Sequence, residues 1–466
     1  MDPRVCVVQG DPVYPSSSQE PAGRPGWSAL GQLMQLWGRD PANPFAGWVQ
    51  PGGTVVLKPN WVMDRNPLED GIESLVTHRA VVREVAELAA VALQGRGTIV
   101  IGDAPLQACD FARLRAANGV DTDVERLRER HPGLEVRVED WRLTVIDRAG
   151  QDGFAAWQEQ STRDSAGPAS PEGYRVLDLG KGSFLEDLAS YSDRFRVTCY
   201  KPSLMRQHHA PGKHEYLVTD RVLSADLVIN LPKMKTHIKA GLTGCLKNLV
   251  GINGHKEFLP HHIKGSYIEG GDCYGKPSLA RRWYEDLADW FWEQEDLRGA
   301  RRKFWSHALD WLWLAGHYAG AEASYGGSWS HNETIWRTTL DLNHVLYAGA
   351  EGARKVIHIV DGIVAGESEG PLSPEPKRAG LLVAGENPAY VDAVLARLMG
   401  YNVSRIPTVY QAIYHRRSRF AGPFLEDFVV DLATKGGPSR RLPFEELPDL
   451  RFRKPRFWRM ADRTLG

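Results

Sequence analysis

Between Lys233 and Lys264 the chain places Lys233, Lys235, His237, Lys247, Asn248, Lys256, His261 and His262, with Glu257 as the sole opposing acid. Ammonium groups with so few acids among them suit an anionic ligand, and imidazole exchanges protons near neutral pH. Gly241, Gly244, Gly251, Gly254 and Gly265 punctuate the segment, and Ile238, Leu242, Cys245, Leu246, Leu249, Val250 and Ile252 are interleaved with its charges. A solvated basic loop has no use for so many residues that want burial, so the segment reads as the wall of a site.

The elements that must carry these residues follow from local pattern. Leu227 to Ile229 is a short apolar run of the kind that forms a buried parallel strand, and open α/β sheets bind ligands beyond the carboxyl ends of such strands. Thr54 to Leu57 is a second strand, ended at Pro59 and delivering Lys58 as an anion-binding group and Asn60 as an orienting one. Thr77 is placed as the N-cap of an amphipathic helix through Val81, Val82, Val85 and Leu88, with His78 and Arg79 at its positive end. Thr98 to Ile101 completes a βαβ unit whose right-handed crossover brings Asp103 to the edge that holds Lys58. Asp103 is thereby a candidate acid, base or metal ligand.

Further along, His209 and His214 are joined through a Pro211-Gly212 turn and give a weak metal signal. Val356 to Val360 is a strand leading to Asp361, Glu367 and Glu369, which with His261 and His262 are the candidate ligands of a divalent metal. Trp283, Leu287, Trp290 and Phe291, then Phe304, Trp311 and Leu312, recur at helical spacing and predict two amphipathic helices. Such an aromatic stripe is ordinarily core, with a lid or a homodimer surface as the functional alternative.

These stretches carry a family resemblance. INLPKMKTH from Ile229, GLTGCLKNLVGINGHK from Gly241 and PHH from Pro260 resemble the DUF362 family, as do VVLKPNWV from Val55, GTIVIGDAP from Gly97, IVDGIVAGESEGP from Ile359 and AGLLVAGENPAYVDAVLARLMG to Gly400. The likeness runs in order over about residues 50 to 410 and implies a fold, while the family's activity is undefined. A remoter similarity is to the active-site region of the lactate racemase family. It implies His237 as acid/base, Lys247 as cofactor anchor or anion binder and His262 or His261 as metal ligand. Gly102-Asp103 stands where that family has Gly-Thr-His, so the nickel-pincer nucleotide is doubtful and the acid/base geometry is what carries over.

Composition sets the outer bounds. The 466 residues have a formal net charge of −1, which argues against a general nucleic-acid binder. Cys6, Cys109, Cys199, Cys245 and Cys273 contain no C-x-x-C pair, so no iron–sulfur cluster is expected. The start MDPRVCVVQG lacks a leader pattern and no apolar run reaches membrane-spanning length, so a soluble cytoplasmic protein without integral membrane association is expected.

The reading is an α/β fold: a mixed, mainly parallel sheet with helices on both faces, plus a helical insertion. Its parts are an N-terminal strand and loop extension (1–50), a core in two pieces (51–277 and 331–410), a Trp-rich helical insertion (278–330) and an Arg/Pro/Phe-rich tail (411–466). The expected function is His-mediated proton transfer at carbon, as in a racemase, isomerase or lyase, on a small carboxylated or phosphorylated metabolite. His237, Lys247 and Asp103 are the catalytic candidates. Lys58, Asn60, Lys233, Lys235, Asn248 and Lys256 are the substrate-binding ones. The alternatives are phosphoryl or nucleotidyl transfer, for which no P-loop is present, and a non-catalytic anion-binding protein.

Overall fold

The computed structural model describes residues 1–15, 27–147, 156–159, 173–197, 201–294, 296–318, 326–348 and 354–463. Cys199 and part of the polar passage before Tyr174 lie outside them. Eleven strands form the main sheet. They are β1 (Val5–Gln9), β2 (Thr54–Pro59), β3 (Gly97–Asp103), β4 (Leu134–Asp140), β5 (Leu227–Leu231), β6 (Lys233–His237), β7 (Gly241–Thr243), β8 (Lys355–Glu369), β9 (Ser373–Gly385), β10 (Val429–Thr434) and β11 (Arg440–Pro443). The order is β11-β10-β1-β9-β8-β5-β2-β3-β4. From β8 to β4 all neighbours are parallel, whereas β9 is antiparallel to both β8 and β1. The fold is thus a mixed, mainly parallel α/β sheet, as expected.

Alternation along the strands builds two cores. Val55, Leu57, Ile99, Ile101, Leu227, Ile229, Ile357 and Ile359 face one side, where α1 (Arg79–Ala92) supplies Val81, Val82, Val85 and Leu88. Val56, Val100, Val228 and Val356 face the other side together with Leu342, Val345 and Leu346. β2, β3, β5 and the start of β8 are therefore apolar on both faces, the pattern of a sheet covered on each side, while the edge strand β4 alternates Leu134, Val136 and Val138 with Glu135 and Arg137. The helices that matter below are α2 (Cys245–Asn248), α3 (Leu279–Glu293), α4 (Gly299–Tyr318), α5 (Ile335–Ala348) and α6 (Pro388–Leu398).

Three local expectations are corrected. The N-cap of α1 is His78, whose ring accepts from Ala80 N. Thr77 is drawn away because its hydroxyl donates to Leu231 O at 2.6 Å and accepts from Asn60 N at 2.8 Å, tying β2 to β5. The acidic segment at Asp361 to Glu369 is not a loop beyond a strand end. β8 runs on through it, paired with β9 so that Glu367 lies opposite Glu375 and Glu369 opposite Ser373. The aromatic stripes form the two expected helices but do not form core throughout. Phe291 and Leu309 are buried, while Trp283, Phe304 and Trp311 are 59%, 65% and 74% exposed, because a two-helix hairpin buries only its inner seam. Among the described residues, no helix is long and apolar enough to cross a membrane.

Candidate functional site

β5 and β6 form one line along β8, broken at Pro232, whose carbonyl accepts from Asp361 N at 2.9 Å. The break carries the chain past the end of β2 and starts a new run of alternation, so Lys233, Lys235 and His237 share one strand face. Beyond the carboxyl ends of β2, β3 and β6 lies a pocket of about 350 Å³. It is lined by Asn60, Trp61 and Val62 after β2, Asp103 to Ala108 at the end of β3, Lys235, His237, Ile238, Lys239, Thr243, Lys247, Asn248, Val250 and Gly251, with Lys256, His261, Pro371 and Leu372 closing it.

Two histidines in this pocket are held in opposite tautomers by the backbone. After His237 the chain turns through Ile238–Ala240 into β7, and the His237 Nδ1 accepts from Lys239 N at 3.0 Å and Ala240 N at 3.2 Å. A nitrogen that accepts two N–H groups carries no proton, so the proton of the neutral ring is on Nε2. Gly241 closes the turn at φ +82°, a conformation that needs glycine. His261 is the reverse case. Its Nδ1 lies 2.7 Å from Leu259 O and must donate, leaving Nε2 as an unprotonated acceptor. Burial, then the nearby Lys247, hold both imidazoles well below the usual histidine range, so both are neutral at physiological pH.

The lysines divide into paired and unpaired groups. Lys58 is fully buried, 2.6 Å from Asp103 Oδ1, and donates to Pro59 O at 2.9 Å and Asn248 Oδ1 at 3.3 Å. Its three donors are spent. Asp103 is equally occupied, accepting from Trp61 N at 2.7 Å and Ala104 N at 2.8 Å. Of these two residues expected at the site, Asp103 lines the pocket and Lys58 stands behind it, and together they form a buried ion pair that pins the ends of β2 and β3. Gly251 is required beside it, since a Cβ there would lie 2.0 Å from Asp103 Oδ1. Lys233, also fully buried, is 2.8 Å from Asp361 Oδ2 and donates to Tyr14 and Val364 O, so it too is structural.

Lys235, Lys247 and Lys256 differ. Among the described residues none has a carboxylate within ion-pair distance, and Lys235 donates only to Leu75 O. Burial and the adjoining Lys256, Lys239 and Lys58 pull Lys247 down to about 7. Lys256 is lowered to about 8, burial outweighing the attraction of Asp103. Asn248 stitches the wall together: its amide donates to Asn230 Oδ1 at 2.7 Å and its oxygen accepts from Asn60 Nδ2 at 2.9 Å. It is a positioning residue.

The expected metal ligands are not brought together. Glu367 accepts from Arg453 N and Nε at 2.9 and 2.7 Å, and Glu369 from Arg456 N at 2.7 Å, both met by the C-terminal tail. Asp361 is held by Lys233, Tyr14 and His78 N. His262 lies in a short strand paired with Phe195–Arg196, outside the pocket lining, while His261 faces it. His209 and His214 do meet, Nδ1 to Nδ1 at 3.4 Å, but their outer nitrogens engage Phe258 O and Glu186. Among the described residues no three His, Cys, Asp or Glu side chains are grouped to hold a metal ion.

Trp61, Thr243 and Asp392 escaped the sequence reading, whereas Asn60 was expected at the site. Asn60 Oδ1, Trp61 Nε1 and Thr243 Oγ1 are buried polar atoms without a hydrogen-bond partner, and all three residues line the pocket. Buried groups of this kind are normally satisfied by protein or ordered water. Asp392 lies on α6, yet its carboxylate accepts from Cys245 N at 2.6 Å and Leu246 N at 3.0 Å. It caps α2 and so positions Lys247. The Thr-Gly turn before α2 was a cue to Thr243, but nothing local pointed from Asp392 to a helix 147 residues earlier.

Fold and site together define an α/β protein with a basic, two-histidine pocket beyond the carboxyl ends of its parallel strands. The DUF362 family model, a domain of unknown function, matches residues 191–397, the stretch that contains β5 to β9 and most of the pocket's cationic groups. The resemblance read from the motifs is borne out there. No curated protein matches the chain, and the lactate racemase likeness is not shown.

Proposed function

We propose that the protein is an enzyme that moves a proton at carbon on a small carboxylated or phosphorylated metabolite. The observation that carries this is the pair of neutral imidazoles of opposite tautomer in one pocket. His261 Nε2 is a free acceptor suited to take a proton, and His237 Nε2–H is a donor suited to give one. The sequence reading gave both roles to His237; the turn that fixes its Nδ1 makes it the donor. Lys256 supplies positive charge for the anionic group, and Lys235, which burial holds well below the ordinary lysine range, adds to it once a bound anion favours its protonation. A proton removed beside that group leaves an enolate-like charge, which His237 and the lysines stabilise in a largely dehydrated site.

The test begins with a thermal-shift screen of carboxylated and phosphorylated metabolites at low salt. Ligands that stabilise the protein are then incubated in deuterated water and examined by mass spectrometry for deuterium at carbon. Exchange should occur, and His237→Gln and His261→Gln should each slow it by about 10²-fold or more. Ligands that bind tightly yet never exchange a carbon-bound hydrogen would leave an anion-binding protein instead.

A further inference from the structure

Burial and like charge oppose an ammonium at both Lys235 and Lys247, but Lys235 is fully buried and donates to Leu75 O, whereas Lys247 is only half-buried and opens on the pocket. It stands on the single turn α2, anchored at its start by Asp392 and stitched at its end by Asn248. Lys58, Lys239 and Lys256 surround it with positive charge, and Lys235, His237 and His261 face the same space. Trp61, Val62, Leu106, Val250 and Leu372 make much of the wall apolar. Lys256 has the pull of Asp103 to keep it charged; no acid acts on Lys247. An amine desolvated among like charges keeps its lone pair and becomes a nucleophile toward carbonyl carbon.

We infer that Lys247 condenses with the carbonyl carbon of a small anionic carbonyl compound to form an imine, an inference that rests on the acid–base reading of the same pocket. The Lys247 nitrogen bonds to the carbonyl carbon, and the carbonyl oxygen leaves as water with the two amine hydrogens. His237 Nε2–H is placed to protonate that departing oxygen, and its proton is restored from the amine. The resulting C=N bond acidifies the neighbouring C–H, the proton for which His261 Nε2 is the acceptor. Carboxylate and phosphate both satisfy Lys235 and Lys256, so the carbonyl compound is a 2-oxo acid or a phosphorylated ketone.

The test incubates the full chain with pyruvate or with dihydroxyacetone phosphate in the presence of sodium cyanoborohydride, and maps reduced adducts by peptide mass spectrometry. Near neutral pH, Lys247 presents about 10³-fold more free amine than a lysine of ordinary pKa. The adduct should therefore appear first at Lys247. Labelling there should fall as pH drops below about 7 and level off above it. The probe that labels at the lower concentration identifies carboxylate or phosphate as the anionic group. Lys247→Arg, which keeps the charge, should abolish the selective adduct. Labelling of exposed lysines alone, with Lys247 unmodified, overturns the inference. Deuterium exchange into a bound ligand without an adduct would remove the imine and leave proton transfer standing; an adduct without exchange would do the reverse.

Discussion

Anion binding in this pocket should be coupled to proton uptake, and the coupling can be worked out in advance. In the free protein Lys247 and Lys256 are lowered to about 7 and about 8, chiefly by burial. A bound dianion restores each toward the ordinary lysine value of about 10.4. Because the bound state then holds protons that the free state lacks, binding is strongest at low pH and is lost as pH rises through the free-state values. At about pH 8, Lys247 takes up about 0.9 proton and Lys256 about 0.5, about 1.4 protons from these two lysines, to which Lys235, also lowered by burial, adds. Between about pH 6 and pH 9 the affinity should fall about 10²-fold through Lys247 and about tenfold through Lys256, or about 10³-fold through the two together. Sulfate suits the measurement because it neither titrates in this range nor reacts with an amine. Isothermal titration calorimetry in two buffers of different ionisation enthalpy gives the proton count directly. Lys247→Met should reduce the uptake at pH 8 by most of one proton. An affinity that stays flat from pH 6 to 9, or an uptake near zero, would mean that these lysines are already charged in the free pocket, and the electrostatic basis of both proposals would fail.

Three further outcomes test the positioning of the site. Asp103→Ala leaves the Lys58 ammonium buried without its carboxylate, so urea unfolding should show a loss of about 3–5 kcal/mol, while Asp103→Ala/Lys58→Met should recover part of it. Gly251→Ala forces a methyl group against Asp103 and should destabilise by about 1–3 kcal/mol; wild-type stability there would refute the close approach of that backbone. Asp392→Ala uncaps α2 and should cost about 0.5–2 kcal/mol and weaken sulfate binding, although residue 392 lies outside the pocket lining; unchanged affinity would show that α2 holds Lys247 without its cap.

Strands and site segments were legible because their causes are local. An apolar run such as Leu227 to Ile229, followed closely by Pro232 and a change of polarity, announces a buried strand and its exit. Parallel neighbours then bring Asn60, Asp103 and His237 to one edge through crossover handedness alone. The continuation of β8 through Glu367 and Glu369 was hidden because its partner is β9, and a polar alternating strand reads as a loop until a neighbour takes its hydrogen bonds.

The sequence by itself determined the α/β layering, the family of residues 191–397 and the edge at which basic groups collect, since periodicity and chain order are properties of the polymer. Only the tertiary structure decided what each charged group became. Asp103 and Asp361 reach Lys58 and Lys233 from neighbouring strands that lie far along the chain, and Arg453 reaches Glu367 from the tail, so these charges are paired. The turn after His237 and the carbonyl of Leu259 fix which ring nitrogens hold protons. Charge pairing and tautomer depend on atoms within a few ångströms in space, and no spacing along the chain encodes them.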